Sequence, residues 1–181
     1  MIAITLPDGS VKQLEEGVTP MDVALSISEG LARNVISAAY NDQTIESSTP
    51  LTHDGSLVLY TWRDEAGKKA FWHSSAHILA QALEVLYPGI KLTIGPAIET
   101  GFYYDVDFGE HSISEKDLIV IEQKMLEIAR GKHTFSLRSM TKDHALDYYK
   151  KQANEYKVEL IKNLEDGTIT FCDHDNFTDL C

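Results

Sequence analysis

The chain has 181 residues, 43% of them hydrophobic, which is enough for one large or two small globular cores. Its 16 Lys and Arg against 28 Asp and Glu leave a formal charge of −12, which argues against a broad phosphate-gripping surface of its own. No stretch approaches the ~18 apolar residues of a membrane span, "MIAITLPDGS" lacks the features of a signal peptide, and two cysteines, Cys172 and Cys181, make no disulfide framework. A cytoplasmic chain with reduced thiols and no membrane partner is expected.

In chain order, "MIAITL" alternates as a strand, and "PDGS" carries the turn chemistry of a hairpin at Asp8-Gly9. "VKQLEEG" returns as a second strand. "TPMDVALSISEGL" reads as a short helix, with Thr19 as N-cap, Pro20 in the first turn and Gly30 near its end. "NVISAAYND" and "SLVLYTW" follow as strands. Two hairpin strands, a helix and further strands within about 60 residues indicate a small α+β domain of β-grasp type.

"RDEAGKKAF" is polar and charged and reads as a hinge. A helix from about Trp72 to Leu86 is stopped by Pro88-Gly89. "KLTIGPAI" and "GFYYDVDF" read as two strands. "SISEKDLIVIEQKMLEIARGK" is the clearest helix, capped by Ser112 or Ser114 and ended by Gly131. "HTFSLRSM" is a strand and "TKDHALDYYKKQ" a helix capped by Thr141, while "YKVELIKNL" fits helix or strand. "GTITFCDHDNFTDLC" reads as a turn, a strand and a second short segment.

The unusual polar features lie in the second part. In "HSSAHILAQAL", His73 and His77 are four apart on an apolar helix, so both rings share one face. The zinc-protease motif HExxH does not apply, because Ser74 stands where its glutamate would be. Lys157 in "YKVEL" and Asp179 and Cys181 in "FTDLC" complete the set. Each has an ordinary alternative: a core histidine, a solvated lysine, a capping aspartate. Cys172 reads as a small core residue.

Taken together, "HSSAH", "IGPAIETGFYYDVDF", "YKVEL" and "FTDLC", in this order and at these separations, resemble the N-terminal half of bacterial threonyl-tRNA synthetases. "TLPDGS" and "TPMDVALSIS" are similar to the TGS domain of that family, a ubiquitin-like β-grasp module. The resemblance implies a TGS-like domain over 1–61. Over 62–181 it implies the first part of a tRNA editing domain, α+β with antiparallel strands and packed helices. The family pattern continues beyond the cysteine to a further histidine, so the resemblance makes this chain a fragment. The aminoacylation core, with its zinc and its ATP/Mg, is expected only in the part not included, as is the homodimer contact of the full-length enzyme.

Serine lacks one methyl of threonine, and one such group is worth only about 1–3 kcal/mol in a binding pocket. A second, hydrolytic site can remove serine misloaded on tRNA(Thr) by excluding the larger threonine. The resemblance assigns that work to a metal-free pocket that takes the seryl ester at the tRNA acceptor end. His73 is the candidate to hold a water or a ribose hydroxyl, and Lys157 the candidate to supply charge to the oxyanion or anchor the water. His77 and Cys181 would shape the wall. Asp179 would bind the substrate ammonium or orient a histidine, and Tyr104 would offer a flat face to the terminal adenine. Two alternatives stand beside this reading. One is a regulatory or RNA-binding TGS module without catalysis. The other is zinc held by His73, His77 and Cys181.

Overall fold

The computed structural model describes residues 1–165, 167 and 169–181. The chain divides into two compact units, Met1–Trp72 and His73–Cys181. The fold class is α+β, as expected from the sequence. Among the described residues no helix is long and apolar enough to cross a membrane.

In the first unit, β1 (Ile2–Thr5) and β2 (Val11–Leu14) form an antiparallel hairpin. Asp8 accepts hydrogen bonds from both the backbone and the hydroxyl of Ser10, and Gly9 supplies the positive φ of the turn, +81°. The helix read from the sequence is two helices, α1 (Pro20–Ile27) and α2 (Glu29–Ala32). Ser28 is extended and parts them, ending α1 and capping α2 by accepting from Leu31 N–H at 3.0 Å. Gly30 lies inside α2, near the end of the helical stretch as expected. Thr19 caps α1 as expected, in a reciprocal box with Asp22.

Strands β3 (Val35–Tyr40), β4 (Gln43–Glu46) and β5 (Gly55–Thr61) complete a sheet of order β2-β1-β5-β3-β4, with β1 and β5 parallel. Polar "QTIE" gave no strand signal, yet it forms β4. Asn41 and Asp42 both take positive φ, the primed turn that matches the twist of a hairpin. Ile2, Ile4, Val23, Ala38, Leu51 and Leu57 make the core.

The polar "hinge" is helical. Helix α3 runs Glu65–Leu86, and the division between the units falls within it. Charged residues with high helix propensity suit an exposed first turn as well as they suit a linker. Gly67 is obligatory there, since a Cβ would stand 2.0 Å from the Thr61 carbonyl oxygen at the end of β5.

The second unit continues with four two-residue strands: β6 (Lys91–Leu92), β7 (Ala97–Ile98), β8 (Gly101–Phe102) and β9 (Val106–Asp107). Strand β6 pairs with β9 and β7 with β8, so each of the two strands read from the sequence is broken in the middle. Pro96 has no N–H to offer a ladder, and a Cβ on Gly95 would sit 2.2 Å from the Tyr104 ring. Helix α4 (Glu115–Arg130) is capped by Ser114 and ends at Gly131; it buries only Ile121 and leaves Leu118, Ile119 and Val120 exposed.

Strands β10 (Phe135–Ser139), β11 (Thr170–His174) and β12 (Phe177–Leu180) form an antiparallel sheet in that order. The turn read at the start of "GTITFCDH" includes Thr168, which lies outside the described residues. Helix α5 (Lys142–Lys151), capped by Thr141, and α6 (Glu155–Lys162) contribute Ala145, Tyr149 and Ile161 to a core with Ile169 and Phe171. The ambiguous "YKVEL" is thus helix. Asn154 decides it: its side-chain carbonyl accepts from Lys157 N–H at 3.1 Å while its amide donates to the Leu92 carbonyl at 2.8 Å.

Candidate functional site

Two elements of the second unit supply most of the site. On α3, His73 and His77 are one turn apart, and Gln81 continues the same face one turn further. On β12, the buried positions alternate, so Phe177 and Asp179 point inward together and Cys181 continues that parity. An aspartate therefore occupies a position that strand periodicity reserves for an apolar side chain.

Asp179 is the hub. One carboxylate oxygen accepts from His77 Nδ1 at 2.8 Å and from the Tyr104 hydroxyl at 2.7 Å. The other is ion-paired with Lys157 Nζ, which also donates to the Tyr104 oxygen at 3.1 Å. Lys157 also sits over the Tyr149 ring, 5.3 Å from its centroid. Lys157 and Asp179 are each 1% exposed and His77 5%. Such a group of charges is tolerated inside a protein only because each is partnered.

The electrostatics follow. Burial alone would raise the Asp179 carboxyl. The Lys157 charge and the His77 hydrogen bond outweigh it and hold the acid at about 2, ionised across the physiological range. Burial, then the Asp179 charge, push the Tyr104 hydroxyl far upward, so it stays a proton donor. Because Asp179 is an ionised acceptor, the proton of His77 is assigned to Nδ1, and its Nε2 turns a lone pair outward.

That nitrogen meets His73. His77 Nε2 lies 3.2 Å from His73 Nε2, with the rings nearly perpendicular at 89°. His73 Nε2 lies 3.1 Å from Cys181 Sγ. His73 is half-buried and Cys181 exposed, so this end of the chain of contacts opens to solvent. His73, His77 and Cys181 are also the described His, Cys and carboxylate group able to hold a metal, their ligand atoms lying within 4.8 Å of one another.

All six residues singled out in the sequence, His73, His77, Tyr104, Lys157, Asp179 and Cys181, thus come together. Two of them differ in environment from the expectation. Lys157 is fully buried against Asp179, and Tyr104 offers its hydroxyl to Asp179 while its ring lies close over Gly95. Three residues were missed. Gln81 on α3 is bonded to His174 Nδ1 on β11 at 2.8 Å, a second buried polar tie between that helix and that hairpin. The repeat of polar residues at 73, 77 and 81 was the available signal. Gly95 had none, since only the packed Tyr104 ring forbids a side chain there.

Comparison with known proteins adds the following. Residues 2–61 match the TGS domain family. The whole chain is 69% identical to the threonine–tRNA ligase of Flavobacterium psychrophilum, 67% to that of Flavobacterium johnsoniae and 52% to that of Cytophaga hutchinsonii. In each case it covers 28% of the relative's length.

Proposed function

We infer that this chain, which corresponds to the N-terminal part of the threonine–tRNA ligases and carries their TGS domain, hydrolyses the ester of serine misloaded on tRNA(Thr). The observation that carries the reading is the solvent-facing meeting of His73, His77 and Cys181, backed by the buried Asp179, Lys157 and Tyr104.

A water beside His73 attacks the ester carbonyl, and His73 takes its proton. The His77 lone pair at 3.2 Å shares that proton, and the Asp179 carboxylate behind His77 stabilises the resulting positive charge. The carbonyl carbon–oxygen bond to the ribose then breaks, and the ribose oxygen leaves with a proton returned by the imidazole pair. Lys157 keeps Asp179 ionised, and the Tyr104 hydroxyl holds the same carboxylate in place behind His77. Cys181 lines the open side. The tRNA acceptor end is the proposed partner, with the grip on its phosphates coming from other parts of the ligase, as a chain of charge −12 requires.

The test is serine release from seryl-tRNA(Thr), beside threonyl-tRNA(Thr), by this chain and by a polypeptide extended to the full length of the relatives. In the longer protein His73→Ala should slow serine release on the order of 10²- to 10³-fold. His77→Ala should cost less. Retention of the full rate by His73→Ala would remove the histidine pair from the chemistry.

A further inference from the structure

Helix α3 and strand β12 run side by side, in opposite directions and with matched repeats. Successive inward positions of β12, two residues apart, are about 7 Å from one another along the strand. Residues four apart on α3 are about 6 Å from one another along the helix. Phe177, Asp179 and Cys181 therefore step along β12 at nearly the pace of Gln81, His77 and His73 along α3. Two of the three levels are the contacts already described, His77 with Asp179 at 2.8 Å and His73 with Cys181 at 3.1 Å. The strand neighbour of Phe177 makes the third. His174 is paired with Phe177 across the hairpin, and its Nδ1 lies 2.8 Å from Gln81 Oε1. Gln81 and His174 are 4% and 3% exposed. The His174 ring is also stacked on Phe135 of β10, 4.3 Å between centroids, so the sheet fixes it from the other side. An amide can turn its oxygen or its nitrogen to a ring nitrogen, so glutamine serves His174 in either tautomer.

We propose that Gln81 and His174 are a positioning pair, whose bond aligns β12 with α3 so that Cys181 is held at His73. The reason is leverage. Asp179 is gripped by His77, Tyr104 and Lys157 and acts as a pivot. A strand held at one point still tilts about it. Phe177 and Cys181 lie two residues to either side of Asp179, so the arms are equal, and a shift of about 1 Å at the turn end becomes about 1 Å at Cys181. The buried Gln81–His174 bond blocks that tilt at the turn end. The contact of His73 with Cys181 is a weaker stop, since one of these residues is half-buried and the other exposed. Neither Gln81 nor His174 touches the reacting atoms. Its effect on rate rests on the hydrolytic reading above, whereas the alignment itself does not.

The experiment compares the pH profile of Cys181 alkylation by iodoacetamide in this chain and its variants, with the modified residue identified by mass because Cys172 is also a thiol, though a buried one. His73→Ala gives the profile of the thiol without its imidazole neighbour. Gln81→Met keeps the length of the side chain and removes the hydrogen bond, and it should move the Cys181 profile to that of His73→Ala. His174→Asn keeps an amide near the Nδ1 position and should hold the parent profile, whereas His174→Leu should lose it. In the polypeptide extended to the full length of the relatives, Gln81→Met should lower kcat for serine release on the order of 10- to 10²-fold with KM unchanged. A pair that only stabilised the fold would lower the melting temperature and leave the profile and kcat of the folded protein as they are. Thermal melts establish folding, and Gln81→Asn, whose shorter amide does not reach His174, replaces Gln81→Met if that variant does not fold. A folded Gln81 variant with the parent profile overturns the proposal, as does a parent profile identical to that of His73→Ala. Full serine release by His73→Ala sinks the hydrolytic reading instead and leaves alkylation to decide the alignment.

Discussion

The two units bury different things. The first packs an apolar sheet face against α1, and Ser37 is its one buried polar side chain among the described residues. The second buries His77, Gln81, Asn154, Lys157, His174 and Asp179. Apolar burial stabilises a fold without regard to direction. Buried charge stabilises it only when every partner is in place, and removing one partner costs more than the pair contributes. The first unit is therefore built for robustness. The second gives up some of that tolerance to hold a carboxylate, a lysine and two imidazoles in fixed geometry, which is what a reactive or ligand-binding centre needs.

The sharpest test of that difference is Asp179→Ala, which strands Lys157 as a buried unpaired charge and should cost about 3–5 kcal/mol. The double change Lys157→Met with Asp179→Leu should recover most of the loss, as measured by denaturant unfolding. A double variant as unstable as the single one would mean that the network holds the fold by more than charge balance. In the first unit, Leu57→Ala should cost about 2–5 kcal/mol through cavity formation, and no second substitution removing a partner should rescue it.

Acid should separate the units further. Burial, aided by the neighbouring His133 charge, lowers the basicity of His174. A histidine that is harder to protonate when folded contributes stability that is full above its ordinary value of 6.5 and is lost as pH falls below it. Hydrogen exchange should accordingly show the β11–β12 hairpin loosening between neutral pH and pH ~5, with the β-grasp sheet unchanged. His174→Gln should flatten that response. The Asp179 contribution has the same sign but a lower window: it is present above the usual carboxylate range and lost only as pH approaches about 2. The smallest effect belongs to the first unit. Thr19→Ala removes the α1 cap and should cost about 1 kcal/mol, visible as a small shift in melting with no effect on the second unit.

Local signals and long-range ones were unequally legible. Thr19, Ser114, Gly131 and Thr141 mark helix ends through hydrogen bonds that reach three or four residues, so a short window of sequence contains both partners. The histidine pair was legible for the same reason. Helix α3 began earlier than expected because polarity distinguishes exposure, not helix from linker. The break of the first helix at Ser28 was hidden because a serine inside a helical pattern and a serine capping the next helix read alike.

The candidate site shows both limits. Lys157, Asp179 and Cys181 each had an ordinary reading when taken singly, and their roles came only through resemblance to a family. Gln81 had a local signal in the polar repeat at 73, 77 and 81, but its partner His174 is 93 residues away and becomes informative only as a bonded pair.

The amino-acid sequence alone determined the α+β pattern, the hairpin at Asp8-Gly9, the helix caps and the common face of His73 and His77, because each depends on residues within a turn or two of one another. The tertiary structure decided that Asp179 is ionised, that Lys157 is spent on it, and that His73 and Cys181 meet at 3.1 Å across 108 positions of chain. Ionisation and contact geometry depend on burial and on distant partners, and those exist only once α3, α6 and the β11–β12 hairpin have packed.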